Sequence, residues 1–218
     1  MPVRLLSITA LFCLLTLPPL PVGARSLAGL WVGTARLDAV SEAEGPDPST
    51  LTPAATFEFP LLIHVDHSGA ARLLREVVML WDDGTNPPAY RLYSDPDALP
   101  TVTAEARRIS SAAFDFPGES VALDGEFSPG GALSGLIQLP ADFPTNPFRH
   151  RYHPDHDEPA ESFAIQRRLR LEFSASGDDT GVLEGLYRES LSGLHRQEIR
   201  VGGSFTLERI SHTPILNP

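Results

Sequence analysis

Lysine is missing from all 218 residues: the 17 basic side chains are arginines. Sulfur is nearly as scarce, with one cysteine, Cys13, and two methionines. Without a lysine amine there is no Schiff-base or pyridoxal catalysis, and a single thiol supports neither a disulfide framework nor a cysteine zinc site. Positive charge is short overall. The 28 acidic residues set the formal net charge at −11, which argues against a nucleic-acid or anionic-membrane partner. Sustained helical periods with caps, internal repeats and long linkers are also lacking. Any activity must therefore rest on histidine, carboxylate, hydroxyl or metal.

One extended apolar run stands apart, Leu5 to Leu20, interrupted late by Pro18 and Pro19. Arg4 precedes it and Val22-Gly23-Ala24 follows, giving the positive, apolar and small-residue regions of a secretory signal cleaved after Ala24. The run falls short of the roughly 20 apolar residues of a spanning helix, and Phe12 before Cys13 does not suit a lipoprotein site. The expected organisation is a signal peptide over 1–24 and a single β-domain over 25–218 with no integral membrane segment after cleavage. Secretion or a periplasmic location follows. Cleavage also removes Cys13, and a chain of the remaining size buries on the order of 70% of its unfolded surface without disulfides.

Period-two alternation dominates the rest. Gly29–Val40 reads as the first strand and Ser41–Thr56, with Pro46, Pro48 and Pro53, as an acidic loop. Phe57, Phe59, Leu61, Ile63 and Val65 alternate with a second face that carries Pro60, a residue suited to an edge or bulge. Asp66-His67-Ser68-Gly69 then turns the chain into Ala71–Trp81, apolar on both faces and expected to be central. Within the irregular stretch Asp82–Ala106 only Ala89–Tyr93 resembles a strand, and a helical turn is compatible with Thr103–Arg108. Further strands are predicted at Ile109–Phe116, Ser120–Phe127, Leu133–Leu139, Phe163–Ala175, Leu183–Leu191 and Ile199–Ile210, with a long polar segment, Pro140–Ser162, between the fourth and third from last. The expected fold is all-β: an antiparallel barrel or barrel-like meander of about eight to ten strands, with a β-sandwich as the alternative.

Matching faces suggests a register for the last three strands. Pairing Phe173 with Leu183 puts Leu169 opposite Tyr187 and Arg167 opposite Glu189, so that the two charges on an apolar face meet as a structural ion pair. Pairing Leu191 with Ile199 sets Tyr187 over Gly203 and Gly185 beside Phe205, rings covering glycines. Arg167 shares no face with Arg168 and Arg170, so that run is not a continuous basic patch.

The densest cluster of chemical groups is 149–158, with His150, His153 and His156 beside Asp155, Asp157 and Glu158. Imidazole and carboxylate suit a divalent ion, and His150, His153, Asp155, His156 and Asp157 are the candidate ligands. The competing reading is a surface clasp with Asx turns, because Pro154 and Pro159 oppose the helix that would align the histidines. Gly118-Glu119-Ser120 is followed by a strand pattern where a nucleophile elbow needs a helix. Asp82-Asp83-Gly84 and Asp178-Asp179-Thr180-Gly181 lack the ligand series of a calcium loop and read as turns.

Gly29-Leu30-Trp31 on a first strand, with Arg209 on the last, resembles the Gly-x-Trp motif and Trp–Arg packing of lipocalins. The Thr-Asp-x-x-Tyr motif of that family is absent. The resemblance implies a mouth loop at Ser41–Thr56 and a small-ligand pocket inside the barrel. The stretches Leu73–Trp81, Ile109–Pro117, Thr145–Asp157 and Gly185–His195 resemble an uncharacterised family of secreted bacterial β-domains, often embedded in larger surface proteins. That likeness implies an extracytoplasmic home and no known activity.

The expected function is an exported, non-catalytic binding or assembly module acting through its loops, chiefly Pro140–Ser162, on an extracytoplasmic protein, glycan or small ligand. Two alternatives remain: a metal-dependent hydrolase using 149–158, with a divalent metal as its cofactor, and a lipocalin-like small-ligand carrier.

Overall fold

The computed structural model describes residues 26–41, 50–82, 84, 89–99, 106–111, 113–146, 163–175, 181–194 and 197–218. Its strands are β1 (Gly29–Ser41), β2 (Leu51–Val65), β3 (Ala71–Leu74), β4 (Glu76–Asp82), β5 (Ala89–Tyr93), β6 (Ala106–Ser110), β7 (Ser120–Gly125), β8 (Ala132–Leu139), β9 (Ile165–Phe173), β10 (Val182–Ser192), β11 (Ile199–Ser211) and β12 (Leu216–Asn217). Eight of them form a closed antiparallel barrel in the order β1-β11-β10-β9-β8-β7-β3-β2. The other four form a small sheet, β12-β5-β4-β6, in which β12 runs parallel to β5. The all-β barrel is thus present, and the sandwich is not.

Alternation along the strands feeds two cores. Trp31, Leu61, Ile63, Leu73, Leu171, Tyr187 and Leu207 point into the barrel, while Leu30, Leu62 and Leu74, each one residue out of phase, point outward to meet Val77, Met79 and Leu92 of the small sheet. Each such side chain gains about 1.5–3 kcal/mol by leaving water. Strands apolar on both faces are those caught between the two cores. Seven rings inside the barrel make edge-on contacts, among them Trp31–Phe127 at 5.1 Å, Phe59–Phe114 at 5.4 Å, Phe59–Tyr187 at 5.6 Å and Phe173–Phe205 at 5.3 Å.

Several boundaries differ from the sequence reading. β2 begins at Leu51, inside the expected loop, because Leu51–Phe57 is exposed and held by backbone pairing to β1 and by Thr52 Oγ1 donating to the Val40 carbonyl, 3.1 Å. Such pairing leaves no hydrophobic pattern to read. Pro53 faces Ala39, just past an irregularity at which residues 54–56 of β2 stand against Asp38 alone. The expected strand Ala71–Trp81 is two strands: the chain leaves the barrel at Arg75 and enters the small sheet, where β4 is indeed central. The suggested turn at Thr103–Arg108 is strand from Ala106 onward, and the expected strand Ile109–Phe116 stops at Ser110. Phe114 and Phe116 instead plug the barrel, anchored by Ser111, whose Oγ donates to the Pro60 carbonyl at 2.5 Å and whose N–H reaches the Arg75 carbonyl at 2.8 Å.

The β10–β11 register is as inferred, with Leu191 opposite Ile199, Tyr187 opposite Gly203 and Gly185 opposite Phe205. The β9–β10 register is two residues away: Phe173 faces Gly185, Leu169 faces Glu189 and Arg167 faces Leu191. A two-residue slip keeps every side chain on its face, so face matching alone does not distinguish the two.

Glycine at 203 is required by backbone approach, since a Cβ there would lie 1.9 Å from the Arg36 carbonyl oxygen. Gly69 sits in an open turn at φ +89, where nothing lies within 4 Å of an added Cβ. Gly69→Ala is expected to cost about 1–2 kcal/mol through backbone conformation alone, and Gly203→Ala more, because β1 and β11 must part. Thermal denaturation of the two variants checks the order; a milder effect at 203 contradicts it.

Candidate functional site

Tyr187 and Glu189 are two residues apart on β10 and point together into the barrel, with Arg167 one strand away on the same face. Arg167 Nε and Nη2 both donate to Glu189, the latter at 3.1 Å, so the pair is bidentate and lies on the diagonal of the ladder. Tyr187 donates its hydroxyl to the same carboxylate at 2.8 Å, and Arg167 Nη1 donates to the Ala113 carbonyl at 2.7 Å. The guanidinium lies 4.8 Å from the Phe114 ring centroid. Burial alone would lower the arginine, but the Glu189 hydrogen bonds and charge outweigh it and hold the guanidinium above its ordinary value. Burial, with the Glu189 charge, pushes the Tyr187 phenol well up. Among the described residues no buried side-chain donor or acceptor lacks a partner. A satisfied network of this kind tethers the plug segment to the barrel wall and offers no free nucleophile or base.

The two ends of the chain's described part meet as the Gly-x-Trp pattern suggested. Gly29, at φ +133, comes so close to β11 that a Cβ would lie 2.0 Å from the Ser211 carbonyl oxygen. Trp31 pairs with Arg209 across the β1–β11 ladder, and the guanidinium lies 5.3 Å from its ring. Trp31 Nε1 donates to the Leu27 carbonyl at 2.8 Å, and Arg209 Nη1 to the Ser26 carbonyl at 2.7 Å. At Gly185 a Cβ would lie 2.9 Å from Phe205 and 2.0 Å from the Glu172 carbonyl oxygen, so the ring does cover that glycine. At Gly203 the nearest atoms belong to the Arg36 and Leu37 backbone.

Two surface hollows flank the C-terminal segment 211–218. On one side an apolar groove of about 800 Å³ lies between that segment and the small sheet, walled by Trp81, Tyr90, Ile210, Pro214 and Ile215. Trp81 is held edge-on by Tyr90, 4.9 Å between centroids, yet is 45% exposed; Ile215 is 64% exposed. Arg91 pairs with Asp82 at 3.0 Å near the rim. On the other side a polar hollow of about 580 Å³ is lined by His64, Asp66, His67, Arg72 and Glu119. The dividing segment is fastened at both ends: Thr213 Oγ1 donates to the Tyr90 carbonyl at 2.7 Å, Ser94 N–H to the Asn217 carbonyl at 2.9 Å, and Asn217 Nδ2 to the Leu92 carbonyl at 2.9 Å. Sequence reading passed over this segment because two residues of strand, Leu216–Asn217, are too short to show a period.

His64 is buried against the same segment, its Nε2 3.3 Å from the Thr213 carbonyl oxygen. Burial holds its imidazole below the ordinary 6.5, against the smaller opposing pull of that carbonyl. Asp66 is held below the usual carboxylate range by Ser68, whose hydroxyl and N–H donate to it at 2.6 and 2.8 Å, closing the β2–β3 turn.

The candidate ligands His150, His153, Asp155, His156 and Asp157 lie outside the described residues. Just before them, buried Asn146 donates from Nδ2 to the Pro140 carbonyl at 2.9 Å and the Phe163 carbonyl at 2.7 Å, drawing together the two ends of the long segment. Among the described residues no group of three or more potential ligands could hold a metal, and no helix is long and apolar enough to cross a membrane. Ser120 opens β7 and its Oγ accepts from Arg72 Nη1 at 3.4 Å, a strand residue rather than an elbow. Asp82 accepts from the Gly84 N–H at 3.1 Å, the expected turn chemistry. No protein-family model matches the chain, and no curated protein matches it.

Removing Arg167 alone strands a buried carboxylate. Arg167→Met is expected to cost about 3–5 kcal/mol, and Arg167→Met with Glu189→Leu less than the two single changes together; additive urea-denaturation energies contradict the coupling. For His64, the unfolded chain takes up a proton below about pH 6.5 that the folded chain refuses until its lowered value is reached. Stability is therefore full above that pH and falls as pH drops through the window. Urea midpoints measured at about pH 7.5 and 5.5 should separate more for the wild type than for His64→Gln, which keeps a donor for the Thr213 carbonyl; equal separations contradict the assignment.

Proposed function

We propose that the protein is an exported, non-catalytic binding module that presents the groove beside its C-terminal segment to an apolar or aromatic group of an extracytoplasmic partner. The observation that carries this reading is the pairing of an exposed Trp81 and Ile215 across an 800 Å³ apolar groove, in a molecule whose barrel interior is already filled by its own rings. Exposed apolar hollows rimmed by polar residues mark interaction sites. Trp81 rests on Tyr90, so its ring is oriented before a ligand arrives and less ordering entropy is lost on binding. The filled interior favours surface binding over lipocalin-like carriage. The signal-like residues 1–24 and the likeness to secreted β-domains support export.

A neutral solvatochromic dye tests the groove. Saturable binding is expected for the wild type, lost in Trp81→Ser and Ile215→Asp and kept in Leu186→Ser, which alters an exposed apolar residue on β10. Dye binding that is absent, or indifferent to Trp81 and Ile215, overturns the reading. Export is checked by the mass of the protein recovered from a secreting host, expected to begin at Arg25.

A further inference from the structure

The outer face of β9, β10 and β11 gathers arginines that are scattered in sequence. Arg170 lies directly opposite Arg188, and in the next row Ser190 has Arg168 on one side and Arg200 on the other. Four guanidinium groups thus border one hollow of about 380 Å³, with Leu51 at its edge. Like charges set directly opposite one another destabilise a sheet, and their cost here is only partly offset. Glu172 accepts from Arg170 at 2.8 Å and lies 3.6 Å from Arg188, and Glu198 lies 3.1 Å from Arg200. Arg168 donates to the neutral Gln166 at 3.3 Å. Glu189 also lines the hollow but is taken up by Arg167 on its inner side, so two further carboxylates against four guanidinium groups leave a local positive excess in a chain of net charge −11. The side chains of Arg170, Arg188 and Arg200 are 52%, 59% and 48% exposed, so their unused donors face solvent.

We infer that this face is a second binding surface, separate from the apolar groove, and that it takes an extended acidic peptide segment with carboxylates at alternate positions. Arginine forks recognise carboxylates bidentately. Arg168 and Arg170 repeat at about 6.6–6.8 Å along β9, the same repeat at which an extended peptide presents every second side chain. A peptide lying along β9 and β10 therefore meets a guanidinium at each carboxylate, with Leu51 beside it as an apolar contact. Because the rest of the protein is acidic, attraction is confined to this face and is strongly weakened by salt beyond the Debye length of about 8 Å at physiological ionic strength.

The test is fluorescence anisotropy with a labelled peptide carrying glutamate at every second position, using the full chain. Binding is expected at about 50 mM salt and sharply reduced at about 300 mM. Arg168→Ser with Arg200→Ser should weaken it about tenfold or more, while Arg107→Ser, on β6, leaves it unchanged. Thermal denaturation confirms that the variants fold, as their exposure predicts. Equal loss with Arg107→Ser, no loss with the paired variant, or no peptide binding at low salt overturns the inference. So does a sulfated oligosaccharide that binds this face in preference to the peptide.

Discussion

The pairing of β1 with β11 is the constraint on which the rest of the structure depends. It joins the first and last long strands and turns a curled sheet into a barrel without edges. That closure demands close backbone approach at Gly29, Gly33 and Gly203, where a Cβ would fall within 2.0 Å of a carbonyl oxygen on the facing strand. Once closed, the barrel must fill a fixed interior, and it does so with interlocking rings rather than with a ligand space.

Burial of one charged pair among those rings follows from the same geometry. Arg167 and Glu189 sit where the plug segment 113–116 enters, so the guanidinium bonds the carboxylate of one strand and the backbone of the plug at once. A hydrophobic pair of similar volume would pack there but would not fix the plug to a particular strand. The remaining arginines of β9 and β10 face outward, which separates a structural role from a surface role within four consecutive positions, 167 to 170.

Period-two patterning made the barrel legible wherever one face was buried and the other wet: β1, β8, β10 and β11 lie within two residues of expectation. It failed where burial and pairing part company. Leu51–Pro53 is paired with little burial, Val77–Leu80 and the end of β3 are buried on both faces and hide the change of sheet, and Phe114 and Phe116 are buried without being strand. The candidate groove was not legible, because Trp81, Tyr90 and Ile215 come from three distant segments and show no common spacing. The arginine face was half legible: alternation set Arg168 and Arg170 apart from Arg167, but only the lateral register adds Arg188 and Arg200.

Arg75 is the single residue between a stave of the barrel and the central strand of the small sheet. Its carbonyl receives the Ser111 N–H, and its guanidinium lies 3.8 Å from Asp115 and 3.6 Å from Glu119. The plug, the short stave β3 and the sheet that walls the apolar groove are therefore coupled mechanically at one point. A load on the groove is carried along the covalent chain in two directions, through Arg75 to β3, the shortest stave, where the plug is tied, and through Ile210 and Ser211 to β11 of the long seam.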